Sequence, residues 1–272
     1  MPRSIWNGVI SFGMVSIPVK LYTATENKDV SFHMIHKDCG ARVKQQRWCP
    51  EHERALEMNE IVRGYEYAKE EHAVMTDEDF ANLPLASKQT VELEAFVNAE
   101  QIDPIFYERS YYLEPDAKAT KPFALLLKAL KEKHLTGIAK IAIRNKEQLC
   151  ALRPLNGGLT LETLFYPDEI RAQPEEVEES KVSDKELDMA FTLIDLLTEE
   201  FKPGKYTDEY REALLQVIQA KLEGEEFEAA EVTKPAKVVD IMSALKASVD
   251  AAKKRRAEES EEPISIRRAK AS

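Results

Sequence analysis

The sequence predicts an α+β protein with a β-rich first part and a small helical part towards its C-terminal end. Two observations support this prediction. The first 166 residues contain many short segments of alternating polarity, and after Pro167 the apolar residues change to helical spacing. One amphipathic helix interrupts the β-rich part. Several short strands separated by turns favour a β-barrel or a β-sandwich, and the pattern alone leaves these two architectures open.

The strands of the first part are predicted from apolar residues that alternate with other side chains, and from glycine and asparagine at turns. Asn156-Gly157-Gly158 is the strongest turn signal, because these residue types adopt the left-handed conformations that tight hairpins need. The short connection at 145–147 predicts a second hairpin. The predicted strands are residues 15–22, 91–98, 105–113, 138–144, 148–153 and 159–166.

A helix is predicted from Thr120, which suits the N-cap position, with Pro122 at the first helical position. Apolar residues at helical spacing form one stripe, which we expect to pack against the strands. At about 100° per residue, Lys121 and Lys128 lie nearly opposite that stripe, with Lys131 close by. The stripe consists of Phe123, Leu126, Leu127 and Leu130.

Three further helices are predicted after a linker at residues 171–183. The first follows Ser183 as its N-cap, and the second begins near Thr207. Their apolar stripes consist of Leu187, Phe191, Ile194 and Phe201, then Leu215, Ile218 and Leu222, then Val238, Met242, Leu245 and Val249. The predicted domains are a β-rich domain at 2–170, a helical region at 184–252 and a charged, flexible tail at 253–272.

The charge of the chain is acidic in total but unevenly distributed. The 272 residues have a formal net charge of −11. Residues 168–231 hold 20 acidic and 7 basic side chains, whereas the rest of the chain holds 29 acidic and 31 basic ones. The acidity is therefore concentrated in one segment, and the remainder can present a basic surface to a polyanion.

The sequence carries neither a membrane segment nor a catalytic signature. No segment approaches the roughly 20 apolar residues that span a bilayer, and Met1–Trp6 lacks the apolar run of a secretory leader. A cytoplasmic location is expected, where three cysteines do not form a disulfide framework. Phosphate-binding loops, dinucleotide fingerprints, zinc-protease motifs and serine-hydrolase motifs are absent from the sequence. We therefore expect no enzymatic activity and no required cofactor.

Four side chains form the sharpest local motif: His36 and Cys39, followed after nine residues by Cys49 and His52. Two ligand pairs, each with a two-residue gap and joined by a short loop, suit a tetrahedral zinc ion. Such an ion would be structural, because four protein ligands leave no position open for catalysis. The alternative is that the cysteines are ordinary thiols and the histidines lie in loops. Cys150 lies in an alternating strand and is expected to be a small buried residue.

Basic side chains are concentrated in two stretches. The first lies inside the His/Cys motif beside Trp48, and the second, residues 121–144, contains Glu132 as its one acid. Such an array suits the phosphate backbone of a nucleic acid, which is bound without reading the sequence. A solvated lysine face is the alternative. The cations are Arg42, Lys44 and Arg47 in the first stretch, and Lys121, Lys128, Lys131, Lys133, Lys140 and Arg144 in the second, with Lys140 and Arg144 on one face of their strand.

Long motifs in a fixed order connect the sequence to a known family. They are RSIWNGVISFGMVSIPVKLY at residues 3–22, IVRGYEY at 61–67, ALRP at 151–154, LETLFYPDE at 161–169 and YTDEYREAL at 206–214. In these motifs the sequence closely resembles the bacterial Ku family. The resemblance extends over about residues 2–250, which is nearly the whole chain.

The resemblance implies a β-barrel core with an inserted helix and a dimerisation arm, through which two copies form a ring. It implies a non-enzymatic, cytoplasmic and nucleoid-associated protein of non-homologous end joining, a homodimer that binds double-stranded DNA ends without sequence specificity. It also implies that the helical region, about residues 205–250, recruits and stimulates a multifunctional ATP-dependent DNA ligase. The expected phosphate contacts are Lys121, Lys128, Lys131, Lys140 and Arg144, with Arg42, Lys44, Arg47, Lys118, Lys133 and Arg153 as further candidates.

Two other functions stay open on the residues alone. A zinc-ribbon regulator that binds nucleic acid is allowed by the His/Cys motif, and it predicts sequence-specific base contacts. A β-barrel scaffold that binds only proteins is favoured by the net charge of −11. Competition with random duplex separates the first from end binding, and reversing the charges of Lys128 and Lys131 tests the second.

Overall fold

The computed structural model describes residues 3–83, 89–143, 146–174, 182–224 and 241–261. The chain divides into two units, Met1–Gln173 and Pro174–Ser272. The strands of the first unit are β1 (Trp6–Phe12), β2 (Val15–Thr23), β3 (Trp48–Cys49), β4 (Arg54–Ala55), β5 (Arg63–Ala68), β6 (Glu71–Met75), β7 (Thr90–Asn98), β8 (Tyr107–Pro115), β9 (Leu135–Ile143), β10 (Lys146–Leu155) and β11 (Gly158–Leu164). Its helices are α1 (Asp77–Ala81) and α2 (Thr120–Lys133).

Seven of these strands close into a barrel in the order β1-β2-β8-β11-β10-β9-β7. Neighbouring strands are antiparallel, except that the parallel pair β1 and β7 closes the barrel with Val9 opposite Thr90. The structure thus decides between barrel and sandwich. Both predicted hairpins are present, and Asn156 (φ 47°) and Gly157 (φ 83°) form the turn between β10 and β11.

The barrel interior is filled by side chains that alternate inward along the strands. Ile10, Ile17, Leu21, Leu152 and Leu161 are fully buried in one core cluster. Helix α2 contributes its predicted stripe to this cluster, with Leu127 partly buried and Phe123, Leu126 and Leu130 buried. Each large apolar side chain contributes about 1.5–3 kcal/mol by leaving water. The core therefore fixes the orientation of α2, and with it the direction of the lysines on the opposite side.

Helix α2 begins differently from the prediction. Its N-cap is Ala119, so Thr120 and Pro122 occupy the first and third helical positions. The Thr120 hydroxyl donates a hydrogen bond to the carbonyl of Ala117 at 3.1 Å. Ala119 is buried in the core cluster. Packing there outweighs the preference for a side chain that caps the helix.

Strand β8 starts two residues later than the predicted residue 105. The carboxylate of Asp103 accepts a hydrogen bond from the backbone N–H of Ile105 at 2.9 Å. This bond caps a short 3₁₀ turn at Pro104–Phe106, which occupies the start of the predicted strand. The aromatic composition that predicted the strand could not show this turn.

Between β2 and β7 the chain leaves the barrel as a segment that we call the arm (residues 24–83). It contains the antiparallel hairpins β3–β4 and β5–β6 and a bridge between Ile35 and Arg42. The structure describes every residue of the arm, and none of them is buried. Its exposed apolar side chains include Phe32, Met34, Ile35, Trp48, Val62, Tyr65, Tyr67 and Val74. The arm thus has no hydrophobic core of its own within a single chain.

The second unit contains, in the part that the structure describes, α3 (Asp184–Leu197), α4 (Glu209–Glu223) and α5 (Ile241–Glu261). Ser183 caps α3 as predicted, and Asp208 caps α4 directly after the predicted start at Thr207. Helix α5 continues to Glu261, into the segment that the sequence assigned to a flexible tail, because its Ala, Lys, Arg and Glu residues are good helix formers. Val238 lies outside the described residues.

Helix α3 packs on α5 with a face other than the predicted one. The half-buried apolar residues are Met189, Ala190, Leu193 and Leu196, whereas the predicted Leu187, Phe191 and Ile194 are 44%, 52% and 58% exposed. Phe201 lies beyond the end of α3 and stacks on Tyr206 with ring centroids 5.6 Å apart. In α5 the predicted Val249 is buried, and in α4 Leu215 and Leu222 are exposed. Among the described residues, no helix is long and apolar enough to cross a membrane.

Candidate nucleic-acid interface

Lys121 and Lys128 lie on the solvent side of helix α2 because the opposite side is buried in the barrel core, whereas Lys133 lies beside Leu126 and Leu130 at the edge of the buried side. Lys121, Lys128, Lys131 and Lys133 are all exposed, and so is Lys118 in the turn before the helix. Lys131 and Lys133 occupy the last turn of α2, where the helix dipole favours cations. The predicted amphipathic arrangement of α2 is confirmed.

Most of these cations have no acidic partner in the part of the chain that the structure describes. Lys128 lies 3.7 Å from Glu132 on the same helix, an exposed pair that contributes about 0.3–0.5 kcal/mol. Within the described residues, no carboxylate lies within 4.0 Å of Lys118, Lys121, Lys131 or Lys133. Their charges are therefore available to an external anion.

A cavity of about 310 Å³ lies at the C-terminal end of α2. Lys131, His134 and Arg153 line it together with Thr136 and Pro154. The structure thus brings two predicted phosphate-binding cations, Lys131 and Arg153, to one place. His134, expected from the sequence to be a structural or exposed residue, is exposed and ends the helix in the left-handed conformation (φ 55°). The abrupt change from helix to strand after residue 133 could have indicated such a residue, since histidine tolerates this conformation better than most side chains.

Arg153 is already held by a carboxylate of the protein. Its Nε and Nη2 donate to the two carboxylate oxygens of Glu162 at 2.9 and 2.6 Å, a bidentate arrangement. The Glu162 side chain is 6% exposed and that of Arg153 34%. The hydrogen bond to Glu162 raises the pKa of Arg153 above its ordinary value. Arg153 therefore neutralises a buried acid on the barrel wall before any ligand binds.

Lys140 lies on the outer side of β9, between the buried, inward-facing Ala139 and Ile141. Its Nζ is 3.3 Å from a carboxylate oxygen of Glu94 on β7. The hydrogen bond to Glu94 raises the pKa of Lys140. Arg144, which was predicted to share this face, lies outside the described residues. The common face of Lys140 and Arg144 stays a prediction.

The arm carries the remaining predicted cations, Arg42, Lys44 and Arg47, all of them exposed. The main chains of Arg42 and Arg47 are hydrogen-bonded within their hairpins, so these side chains extend from ordered backbone. In the part of the chain that the structure describes, none of the three has a carboxylate within 4.0 Å. The neighbouring Trp48 is 59% exposed.

The four side chains of the predicted zinc motif also lie in the arm, as two separate pairs. His36 Nδ1 is 3.1 Å from Cys39 Sγ, and Cys49 Sγ is 3.3 Å from His52 Nδ1. The described residues contain no group of three or more His, Cys, Asp or Glu side chains placed to hold one metal ion. The hydrogen bond with His52 lowers the pKa of the Cys49 thiol. Cys150 is buried as predicted, and burial raises the pKa of its thiol.

The exposed lysines and arginines can form charge-assisted hydrogen bonds to phosphate oxygens. Such contacts position a nucleic acid but carry no information about its bases. This interface therefore suits the binding of a polyanion without sequence preference.

The family model and the curated relatives that match this chain point to the same family. The family model described as the Ku70/Ku80 beta-barrel domain matches residues 11–189. Three similar curated relatives, each called non-homologous end joining protein Ku, come from Symbiobacterium thermophilum, Bacillus subtilis and Archaeoglobus fulgidus. Their identities are 43%, 43% and 39% over 94%, 91% and 92% of this chain. The chain spans 64%, 82% and 100% of the lengths of these relatives, respectively.

Proposed function

We propose that this chain, which belongs to the Ku family, binds the ends of double-stranded DNA as a ring-shaped homodimer that does not read their sequence. The observation that carries the proposal is the set of exposed cations on α2 and in the turn before it, most of them without an acidic partner among the described residues. Duplex DNA carries one negative charge per about 1.7 Å of its axis, so such a set can neutralise several phosphates at once. Family membership also agrees with the prediction that the chain is not an enzyme.

Reversing the charges of Lys121 and Lys131 tests the DNA contact. Each lost phosphate contact should reduce the slope of log affinity against log salt by about 0.9. Lys121→Glu with Lys131→Glu removes two contacts from each chain of the homodimer, so it should reduce the slope by about 3.6. Fluorescence anisotropy with a labelled duplex between roughly 50 and 200 mM salt measures this slope. The matched control is Lys202→Glu with Lys221→Glu, which makes the same charge change in the second unit. Equal slopes for both variants would contradict the assignment.

The ring is tested by the topology of the DNA. A closed ring can be loaded only at a free end, so linear duplex should bind, whereas closed circular duplex and duplex blocked by hairpins at both ends should not. Linear duplexes of unrelated sequence should compete equally well for the protein. A zinc-ribbon regulator with sequence-specific base contacts would instead prefer one sequence. Equal affinity for linear and circular duplex would argue against a ring.

The exposed apolar surface of the arm supports the proposed homodimer. Its exposed apolar side chains, such as Val62 and Tyr65, would leave water if the arms of two copies packed together. Light scattering should then give about twice the chain mass of 31.0 kDa. Val62→Asp with Tyr65→Asp should lower the mass to that of one chain, whereas Lys69→Asp in the same hairpin should not. A full-size dimer of the double variant would exclude this surface.

The second unit is proposed to recruit an ATP-dependent DNA ligase. Helix α3 lies before residues 205–250, to which the family resemblance assigned recruitment, but its exposed face, formed by Leu187, Phe191 and Ile194, has the spacing with which an amphipathic helix enters an apolar groove of a partner. Phe191→Glu with Ile194→Glu should abolish the stimulation of end ligation but leave DNA binding unchanged. Asp195→Lys, an exposed substitution on the same helix, is the control. Unchanged stimulation by the double variant would assign recruitment to another surface.

A further inference from the structure

The two ends of the barrel differ in the side chains that lie there. Helix α2 covers the end at which β8 ends and β9 begins, where Leu126 and Leu130 lie beside Phe12 and Leu135. A cavity of about 300 Å³ lies at the opposite end, where β2 and β9 end and β8 and β10 begin. The mouth of a β-barrel is a common position for a small-molecule site. Among the described residues, none of the predicted phosphate contacts lines this cavity.

Polar residues continue the inward-facing side of three strands at this end of the barrel. The buried residues nearest the mouth are Leu21 in β2, Tyr111 in β8 and Cys150 in β10. In each strand the residue two positions nearer the mouth is polar, and these residues are Thr23, Arg109 and Gln148. Side chains two positions apart lie on the same side of a strand, so the three polar side chains face the mouth. Lys146, two positions before Gln148, lines the cavity as well.

The floor of the cavity contains a tyrosine hydroxyl without a protein partner. Tyr111 and Ile143 form this floor and are 6% and 9% exposed. The Tyr111 hydroxyl has no hydrogen-bond partner among the described residues, and it is not completely enclosed by protein atoms. Hydroxyl groups that are largely removed from water normally have a hydrogen-bond partner. A ligand in the cavity can supply that partner.

The rim of the cavity offers cationic hydrogen-bond donors. The Glu108 carboxylate accepts a hydrogen bond from the buried Thr163 hydroxyl at 3.1 Å, and its other oxygen lies 3.7 Å from Arg109 Nε. No closer contact engages the Arg109 guanidinium within the described residues. Lys146 donates one of its three N–H groups to Glu169 at 3.2 Å. The remaining donors of both cations suit an anion that is rich in acceptor oxygens.

We propose that this cavity, lined by Arg109, Tyr111 and Lys146, binds a phosphate monoester. The phosphate lies between the two cations and accepts a hydrogen bond from the tyrosine hydroxyl on the floor. At about 30 Å³ per water molecule, the cavity has the volume of about ten water molecules, which is enough for a phosphate and an attached sugar. Two sources offer this chemistry, a free nucleotide and the 5′-terminal phosphate of a DNA strand. Only the second source rests on the proposed DNA-end binding.

The first test is the binding of deoxyadenosine 5′-monophosphate to the full chain, measured by calorimetry and by the ³¹P NMR line width. Deoxyadenosine, which lacks the phosphate, should bind at least about tenfold more weakly, because hydrogen bonds to a charged group contribute about that factor each. Arg109→Ala and Tyr111→Phe should each weaken the nucleotide by about tenfold. Arg171→Ala, the same charge change at an exposed residue outside the cavity, should have no effect. An unchanged unfolding temperature of the barrel verifies that each variant is folded.

Two linear duplexes, one with 5′-phosphates and one with 5′-hydroxyls, identify the source of the phosphate. If the terminal phosphate occupies the cavity, the phosphorylated duplex should bind about tenfold more tightly, and Arg109→Ala should remove this difference. If a free nucleotide is the ligand, both duplexes should bind equally and the free nucleotide should still bind.

Two results would each overturn the proposal. One is the absence of nucleotide binding at millimolar concentration together with equal binding of the two duplexes. The other is that Arg109→Ala and Arg171→Ala give the same nucleotide affinity and the same preference between the duplexes. Failure of either duplex to bind at all would contradict the proposed end binding, whereas the result with the free nucleotide would still decide whether the cavity binds a phosphate monoester.

Discussion

The sequence suggests Arg153 as a phosphate contact, but the structure gives it a partner inside the protein. Its guanidinium forms a bidentate pair with Glu162, whose side chain is 6% exposed, and Ser110 Oγ lies 3.4 Å from the same carboxylate. Arg153→Met keeps most of the apolar stem of the side chain but removes the charge. It would leave the Glu162 carboxylate on the barrel wall without its cation.

The cost of this substitution follows from the burial of the pair. Removing one partner of a buried ion pair costs about 3–5 kcal/mol. We expect the lower end, about 3 kcal/mol, because Arg153 is 34% exposed and water can partly replace it. For a domain of this size, about 3 kcal/mol lowers Tm by roughly 6–12 °C. Adding Glu162→Gln removes the unpaired charge and should restore more than half of the loss, because both halves of the pair are then neutral.

Calorimetry and denaturant unfolding of the two single variants, the double variant and the unmodified chain give the coupling energy of Arg153 and Glu162. DNA affinity, measured well below each Tm, should be nearly the same for all four proteins. A Tm of Arg153→Met within about 2 °C of the unmodified chain, combined with a clear loss of DNA affinity, would refute the structural role. That result would make Arg153 a phosphate contact.

Three further expectations concern the barrel and the arm. Gly8→Ala should destabilise the barrel by roughly 2–3 kcal/mol in denaturant unfolding, because its Cβ would lie 2.4 Å from a main-chain carbonyl oxygen, whereas Gly158→Ala, with 3.8 Å to its nearest atom, should cost far less. Alkylation of the chelator-treated native chain should label two cysteines and spare Cys150, which burial protects; labelling of all three would show that the core opens. The side-chain hydrogen bond from Arg54 lowers the pKa of Glu60 from 4.5 to about 2. The stabilisation from this pair is therefore present above pH 4.5 and lost as pH falls towards 2, and Arg54→Ala should return the Glu60 midpoint, followed by NMR, towards 4.5.

The barrel strands could be predicted because apolar and polar side chains alternate along a strand that has one face in the core. Ile17, Val19 and Leu21 point inward at every second position of β2, as the sequence indicated. The hairpin β5–β6 was not predicted, since it buries no side chain and its pattern therefore carries no such signal. The packing face of α3 was predicted wrongly because the helix is apolar on two sides, and only contact with α5 selects one of them.

The candidate site was predictable to the extent that it lies on one helix. The periodicity of α2 alone places Lys121 and Lys128 opposite the core. The pairing of Arg153 with Glu162 depends on the register of β10 and β11, in which Ala151 lies directly opposite Glu162 and Arg153 lies diagonally from it. No pattern within a single strand reveals a diagonal contact of this kind. The pairing of Lys140 with Glu94 likewise requires knowing that β7 and β9 are neighbours.

The arm is inserted between β2 and β7, and this affects how freely its length can vary. The pair that closes the barrel, Val9 and Thr90, joins positions 81 residues apart, and most of that separation is the arm. The entropic cost of closing a flexible loop grows only with the logarithm of its length, by about 0.6 kcal/mol per doubling. An arm half or twice as long would therefore leave the barrel almost equally stable. Its reach can change from one homologue to another without any compensating change in the barrel core.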